Sequence, residues 1–163
     1  MNFYQLFQKE DLNQKSIIGL NTELRAIYLF NVLQQKNSSI LVVTNSLYEA
    51  NQLYQSVMNY TDQVLLFPMD DFLTSEALAI SPELKTTRLE TLIELVKNSQ
   101  KIVITNLMGF LRYLPFPNYF KKNIITLKTS DDIPKDELVK KLFLMGYERE
   151  VLVNRTGEIA LRG

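Results

Sequence analysis

The chain contains no cysteine, no histidine and no tryptophan among its 163 residues. Without cysteine there is no disulfide frame and no thiolate nucleophile, which suits a cytoplasmic protein. Without histidine the commonest general base and the commonest metal ligand are both missing, so catalysis would rest on serine–lysine or paired-carboxylate chemistry. Charge of one sign is lacking too: 18 lysines and arginines balance 18 aspartates and glutamates. A dedicated nucleic-acid binder usually carries a clear basic surplus, so this balance predicts weak, nonspecific DNA binding at most. The start, MNFYQLFQKEDLNQK, has neither a basic leader nor an apolar run of signal length. No later stretch is long and apolar enough to span a bilayer, so no membrane partner is expected.

What is present is ordinary for a globular protein, with 46% hydrophobic and 22% charged residues. The length suffices for one full core with part of another. The chain is organised around residues 64–96, VLLFPMDDFLTSEALAISPELKTTRLETLIELV. An apolar strand, Val64–Phe67, stops at Pro68, and Asp70–Asp71 opens a loop. The loop closes at Ser81-Pro82-Glu83, which predicts a hydroxyl cap, a proline in the first helical turn and an acid at the helix's positive end. In the following helix Leu89, Leu92, Ile93 and Val96 fall on one face.

Before this stretch, Phe3, Tyr4, Leu6 and Phe7 among polar residues predict a short amphipathic helix over 1–14 packed on the domain edge, with a partner-binding arm as the lesser alternative. Ser16–Leu20 reads as a short apolar strand, with Asn21 or Thr22 capping a helix over Thr22–Gln35 that is apolar nearly all round. Ile40–Thr44 has the continuous β-branched pattern of a strand buried on both faces. Ser46-Leu-Tyr-Glu49 spells a capping box, and Leu47, Ala50, Tyr54 and Val57 supply the helix stripe behind it. Lys101–Thr105 is a further buried-type strand, leading into a short helix over Leu107–Leu114. Strand and helix thus alternate with short connections, the pattern of a parallel α/β sheet with helices on both faces.

Leu114-Pro-Phe-Pro117 breaks the rhythm and places a domain boundary between residues 1–115 and 116–163. Beyond it Asn123–Lys128 reads as a strand. Asp131, Asp132 and Pro134 precede a helix carrying Leu138, Val139, Leu142 and Phe143, which Gly146 ends. Extended pieces Tyr147–Val153 and Glu158–Leu161 follow, joined by the turn Asn154–Gly157. An α+β module begins here, and a strand-like run ending at Arg162-Gly163 is expected of a piece of a longer protein.

Chemistry is sparse. A nucleotide-binding parallel sheet needs glycines, a lysine and a hydroxyl in the turn after its first strand. Residues 18–26 offer Gly19 alone, no lysine, and Glu23 where a phosphate would be repelled. Asp70 and Asp71 suggest a metal site or a Walker-B-like pair, but neighbours on an extended loop point apart, which favours a solvated loop. Arg88 is the one charge on its helix suited to a site, against an ordinary surface ion pair or solvation. No catalytic residue, cofactor site or metal site is assigned.

The words LFPMDDFLTSEALAISPEL and TRLETL resemble the N-terminal UvrB-like region of the bacterial transcription-repair coupling factors, the Mfd family. The resemblance implies a RecA-like sheet. UvrB keeps an intact phosphate loop at the position of residues 18–26, whereas the Mfd region has lost it, and this sequence sides with Mfd. Phe72-Leu-Thr-Ser75 follows where UvrB carries its tyrosine-rich damage-probing hairpin, so that function is expected to be absent. The tail from Gly146 to Gly163 is similar to the inserted module with which both families dock UvrA, the damage-recognition ATPase. The matching positions are Tyr147, Arg149, Arg155 and Arg162. Read alone, arginines beside a turn are solvated; the resemblance makes them a docking set.

The function this implies is a non-catalytic module recruiting UvrA to stalled RNA polymerase in nucleotide excision repair. The alternatives are a RecA-like nucleotide-dependent repair enzyme, disfavoured by residues 18–26, and a DNA-binding module, disfavoured by the neutral charge. Other domains of the parent chain are further expected partners. RNA polymerase and DNA would be engaged only through an ATP-driven translocase and a polymerase-binding domain that this sequence does not contain.

Overall fold

Three parallel strands form the sheet on which the first part of the chain is built, in a computed structural model that describes residues 16–71, 81–97 and 99–161. The helix expected over 1–14 and the segment Phe72–Ser75 lie outside the described residues. By contacts the chain divides into two units, Met1–Leu114 and Pro115–Gly163.

In the first unit, helix α1 (Thr22–Gln35) begins at Asn21, whose side chain accepts from the Leu24 N–H at 2.9 Å. Strand β1 (Ile40–Thr44), helix α2 (Leu47–Met58), strand β2 (Val64–Phe67), helix α3 (Pro82–Leu95), strand β3 (Ile102–Asn106) and the short helix α4 (Leu107–Phe110) follow. The sheet order is β1-β3-β2, all parallel, with Ile40 beside Ile102 and Val64 beside Ile102 on the other side. One face carries Ile102, Ile104, Val64 and Leu66 against Ala26 and Leu33 of α1 and Ala50, Leu53 and Val57 of α2. Ile102 and Ile104 are fully buried. This layer of aliphatic side chains is the core, and each valine, leucine or isoleucine in it contributes about 1.5–3 kcal/mol by leaving water.

Several expectations are corrected. Ser16–Leu20 forms no strand: Ile18 is 89% exposed, and Gly19 at φ +80 breaks the extended run. β1, an edge strand, is half-buried on one face and exposed on the other: Leu41 is 56% and Val43 42% exposed. β3, in the centre, is buried throughout. Ser81 makes no side-chain cap; its backbone carbonyl accepts from the Lys85 N–H instead. Leu89 does not face the sheet and is exposed. Helix α3 turns Thr91 and Arg88 inward, the Thr91 hydroxyl donating to the Leu66 carbonyl at 2.6 Å and Arg88 Nη1 to the Pro68 carbonyl at 2.9 Å. Helix α3 thus sets two polar side chains on the end of β2, while Leu92, Ile93 and Val96 of the apolar stripe are half-buried. Helix α4 is shorter than expected, and residues 111–116 after it are exposed.

The second unit contains helices α5 (Pro117–Lys122) and α6 (Lys135–Leu144) and a two-stranded parallel sheet of β4 (Glu148–Arg149) and β5 (Glu158–Ile159). Pro117 starts a helix rather than only breaking one, because proline's fixed φ fits the first helical position. Asn123–Lys128 pairs with no strand among the described residues and is irregular. Helix α6 ends as its sequence predicts: Gly146 takes φ +91, and the Tyr147 N–H reaches back to the Leu142 carbonyl at 3.0 Å. The extended pieces shrink to two paired residues each, since the connection has to loop back before a parallel partner can form. Neither α5 nor α6 has a buried residue.

Candidate functional site

The carboxyl edge of a parallel sheet is where α/β proteins place their ligands. Here the chain's own polar side chains bridge that edge at the ends of β2 and β3. Asn106, fully buried at the end of β3, donates through Nδ2 to the Met69 carbonyl and to Asp71 Oδ1, both at 2.7 Å. Its Oδ1 accepts from Met69 N–H at 3.2 Å and from Gly109 N–H at 3.3 Å, which caps α4. Asp71 in turn accepts the Leu47 N–H on both oxygens, 2.8 and 2.9 Å away, at the start of α2. Asp71 remains exposed, as a solvated loop residue is, and also caps the start of α2. Thr105 adds a bond from its hydroxyl to the Phe67 carbonyl at 2.7 Å. Gly109 permits this closeness: an added Cβ would lie 2.3 Å from Thr105 Oγ1.

Ser46 Oγ accepts from the Glu49 N–H at 3.2 Å, one arm of the predicted capping box. The reciprocal arm is displaced by one residue, Glu49 Oε2 accepting from the Asn45 N–H at 3.2 Å. The Leu47 N–H, close by, is left for Asp71. Burial holds the Arg88 guanidinium below its ordinary pKa, with nearby Asp70 opposing the shift and Arg112 adding to it. Arg88 thus serves the end of β2 through its bond to the Pro68 carbonyl.

The turn at residues 18–26 opens on a crevice of about 270 Å³ lined by Asn21, Thr22, Arg25, Thr44, Glu49 and Gln52, with Leu20 and Leu53. Two of its charges are engaged within the fold, Arg25 Nε on the Leu20 carbonyl at 3.1 Å and Glu49 on Asn45. Glu23 is held too, its Oε1 accepting from Ser56 Oγ at 2.7 Å. No group of acids suited to a metal ion occurs among the described residues. No helix among them is long and apolar enough to cross a membrane.

In the second unit the sequence-predicted residues separate. Tyr147 and Arg149 lie at β4, both exposed, and Arg149 makes no side-chain hydrogen bond or ion pair among the described residues. Arg155 is engaged within the chain: Nε donates to Glu158 Oε1 at 2.6 Å and Nη2 lies 3.5 Å from Glu148 Oε2. Those bonds, Glu158 first, raise its pKa. Arg162 lies outside the described residues.

Sequence reasoning missed Asn106, Glu148 and Glu158. Asparagine between an apolar strand and a helix start is a capping signal that would have found the first. The two glutamates become partners only through the β4–β5 register, which no local pattern shows.

Comparison with known proteins gives a consistent result. No family model matches the chain. A protein of Staphylococcus haemolyticus is 34% identical over 149 residues, 90% of this chain. One of Staphylococcus epidermidis is 33% identical over 96% of it, and one of Staphylococcus aureus 30% over 94%. All three carry one name. The resemblance is to transcription-repair-coupling factors. The chain spans only 13–14% of the length of these curated relatives. The chain is similar to a small part of each of these factors, and forms an α/β sheet unit and a second, smaller unit.

Proposed function

We propose that this chain is a non-catalytic, UvrB-like docking module of a transcription-repair-coupling factor, recruiting UvrA through its second unit during nucleotide excision repair in the cytoplasm. Arg149 is the observation that carries the reading. It is exposed beside Tyr147, its guanidinium unengaged among the described residues, in a chain similar to these factors along 90–96% of its length. A planar fork of donors is suited to carboxylates, and arginine and tyrosine are enriched where interfaces concentrate their energy. Arg162 joins the set by sequence alone.

The non-catalytic half rests on the first unit. We read its sheet as RecA-like with a degenerate nucleotide turn: Glu23 stands in the first turn of α1, no lysine occurs in 18–26, and Asp71 occupies the start of α2. RNA polymerase, DNA and ATP-driven translocation belong, in this reading, to the remainder of the longer protein. Calorimetric titration of UvrA with the chain tests it. A saturable complex is expected, and no heat with no co-elution contradicts it.

A further inference from the structure

Glu148 and Glu158 stand opposite one another as register partners in the β4–β5 ladder. Two carboxylates directly opposite repel, and a two-residue ladder has little else to hold it. The ladder nevertheless closes, with the Glu148 N–H on the Gly157 carbonyl and the Glu150 N–H on the Ile159 carbonyl, each at 2.9 Å. Arg155 lies between the two acids, Nε on Glu158 at 2.6 Å and Nη2 by Glu148 at 3.5 Å. Glu158 also accepts the backbone N–H groups of Asn154 at 2.8 Å and Arg155 at 3.2 Å, folding the connection 150–157 onto β5. Its side chain is only 7% exposed, so this carboxylate is an organising centre and not a surface charge.

We propose that Arg155 is a positioning residue: an internal counter-ion that lets Glu148 and Glu158 pair, and so fixes the strand that presents Tyr147 and Arg149. This rests on the docking role proposed above for that strand, and changes what Arg155 does there. Its fork is spent on the chain's own acids, leaving Arg149 as the residue facing the partner.

Removing the repulsion should replace the counter-ion, which separates positioning from contact. Four chains are compared: wild type, Arg149→Ala, Arg155→Ala, and Arg155→Ala combined with Glu148→Gln. UvrA affinity is read by calorimetry, and amide hydrogen exchange at Glu148 and Glu150 by NMR. Arg155→Ala is expected to weaken binding about tenfold and to speed exchange at both amides. The double variant is expected to recover slow exchange and to bind within about threefold of wild type. Recovered exchange with binding still weak would mean that Arg155 touches the partner, and overturns the proposal. Unchanged exchange in Arg155→Ala overturns it as well. If Arg149→Ala binds like wild type, the docking reading fails, while the exchange data still decide the counter-ion role.

Discussion

Asp71 reaches across to Leu47 and holds its backbone N–H with both carboxylate oxygens, 2.8 and 2.9 Å away. An acid from the loop after β2 thus supplies the negative charge that the positive end of α2 favours. Helix starts at a sheet's carboxyl edge are where phosphates bind in related architectures. At α2 the chain fills that place itself.

Mg-ATP is therefore expected not to bind. The start of α1 offers Asn21 and Glu23 in place of a phosphate-cradling lysine, and the start of α2 already carries Asp71. Calorimetry with Mg-ATP checks this; micromolar affinity would contradict it.

Asn106 is expected to be the most costly polar residue to lose in the first unit. Asn106→Ala leaves the Met69 N–H and carbonyl buried without partners and frees Asp71. Leaving such groups unpaired costs about 1–3 kcal/mol each, so a loss of about 3 kcal/mol is expected. Urea unfolding measures it. A loss below about 1 kcal/mol would show that water replaces the side chain.

How much of this was legible in the sequence differs by element. Val64–Phe67, Thr22–Gln35 and the end of α6 at Gly146 follow from local chemistry: an apolar run stopped by proline, an asparagine cap, a glycine at positive φ. The burial of β1 was not legible, because ILVVT and KIVIT share one apolar, β-branched pattern, and that pattern does not tell an edge strand from a central one. Edge or centre is decided by strand order, β1-β3-β2, which is a long-range property. The inward face of α3 was legible in part: Leu92, Ile93 and Val96 are half-buried, and Leu89 is exposed. Thr91 and Arg88 donate to the carbonyls of Leu66 in β2 and of Pro68 just after it, 25 and 20 positions earlier. At the candidate surface, Tyr147 and Arg149 came from a resemblance, and the engagement of Arg155 came only with the ladder.

That contrast between strands is itself testable. Ile104→Ala in β3 is expected to cost about 2–5 kcal/mol, since the side chain is wholly enclosed. Leu41→Ala in β1 is expected to cost about 1 kcal/mol or less, its side chain being more than half exposed. Equal costs in denaturant unfolding would mean that β1 has a covered second face.

Acid should loosen the 150–157 connection. The Glu158 carboxyl is held below the usual carboxylate range, first by the Asn154 N–H and also by Arg155, with desolvation opposing them. A depressed folded pKa gives stability that is present above the unfolded value, about 4.3, and is lost as pH falls through the folded one. The Asn154 and Arg155 amide shifts are expected to titrate with a midpoint below about 4.3 and to stop doing so in Glu158→Gln. A midpoint at or above the ordinary value would contradict the bonding described.

The central claim is that Arg149 carries the docking contact, and comparing Arg149→Ala with Lys97→Ala in calorimetric titrations against UvrA tests it most directly. Losing one partner of a desolvated arginine–carboxylate pair costs about 2–5 kcal/mol. Arg149→Ala is therefore expected to weaken binding at least about tenfold. Lys97, exposed and paired with Glu94 in the other unit, should be replaceable without effect. Equal binding by wild type and Arg149→Ala, with circular dichroism showing both folded, would contradict the account.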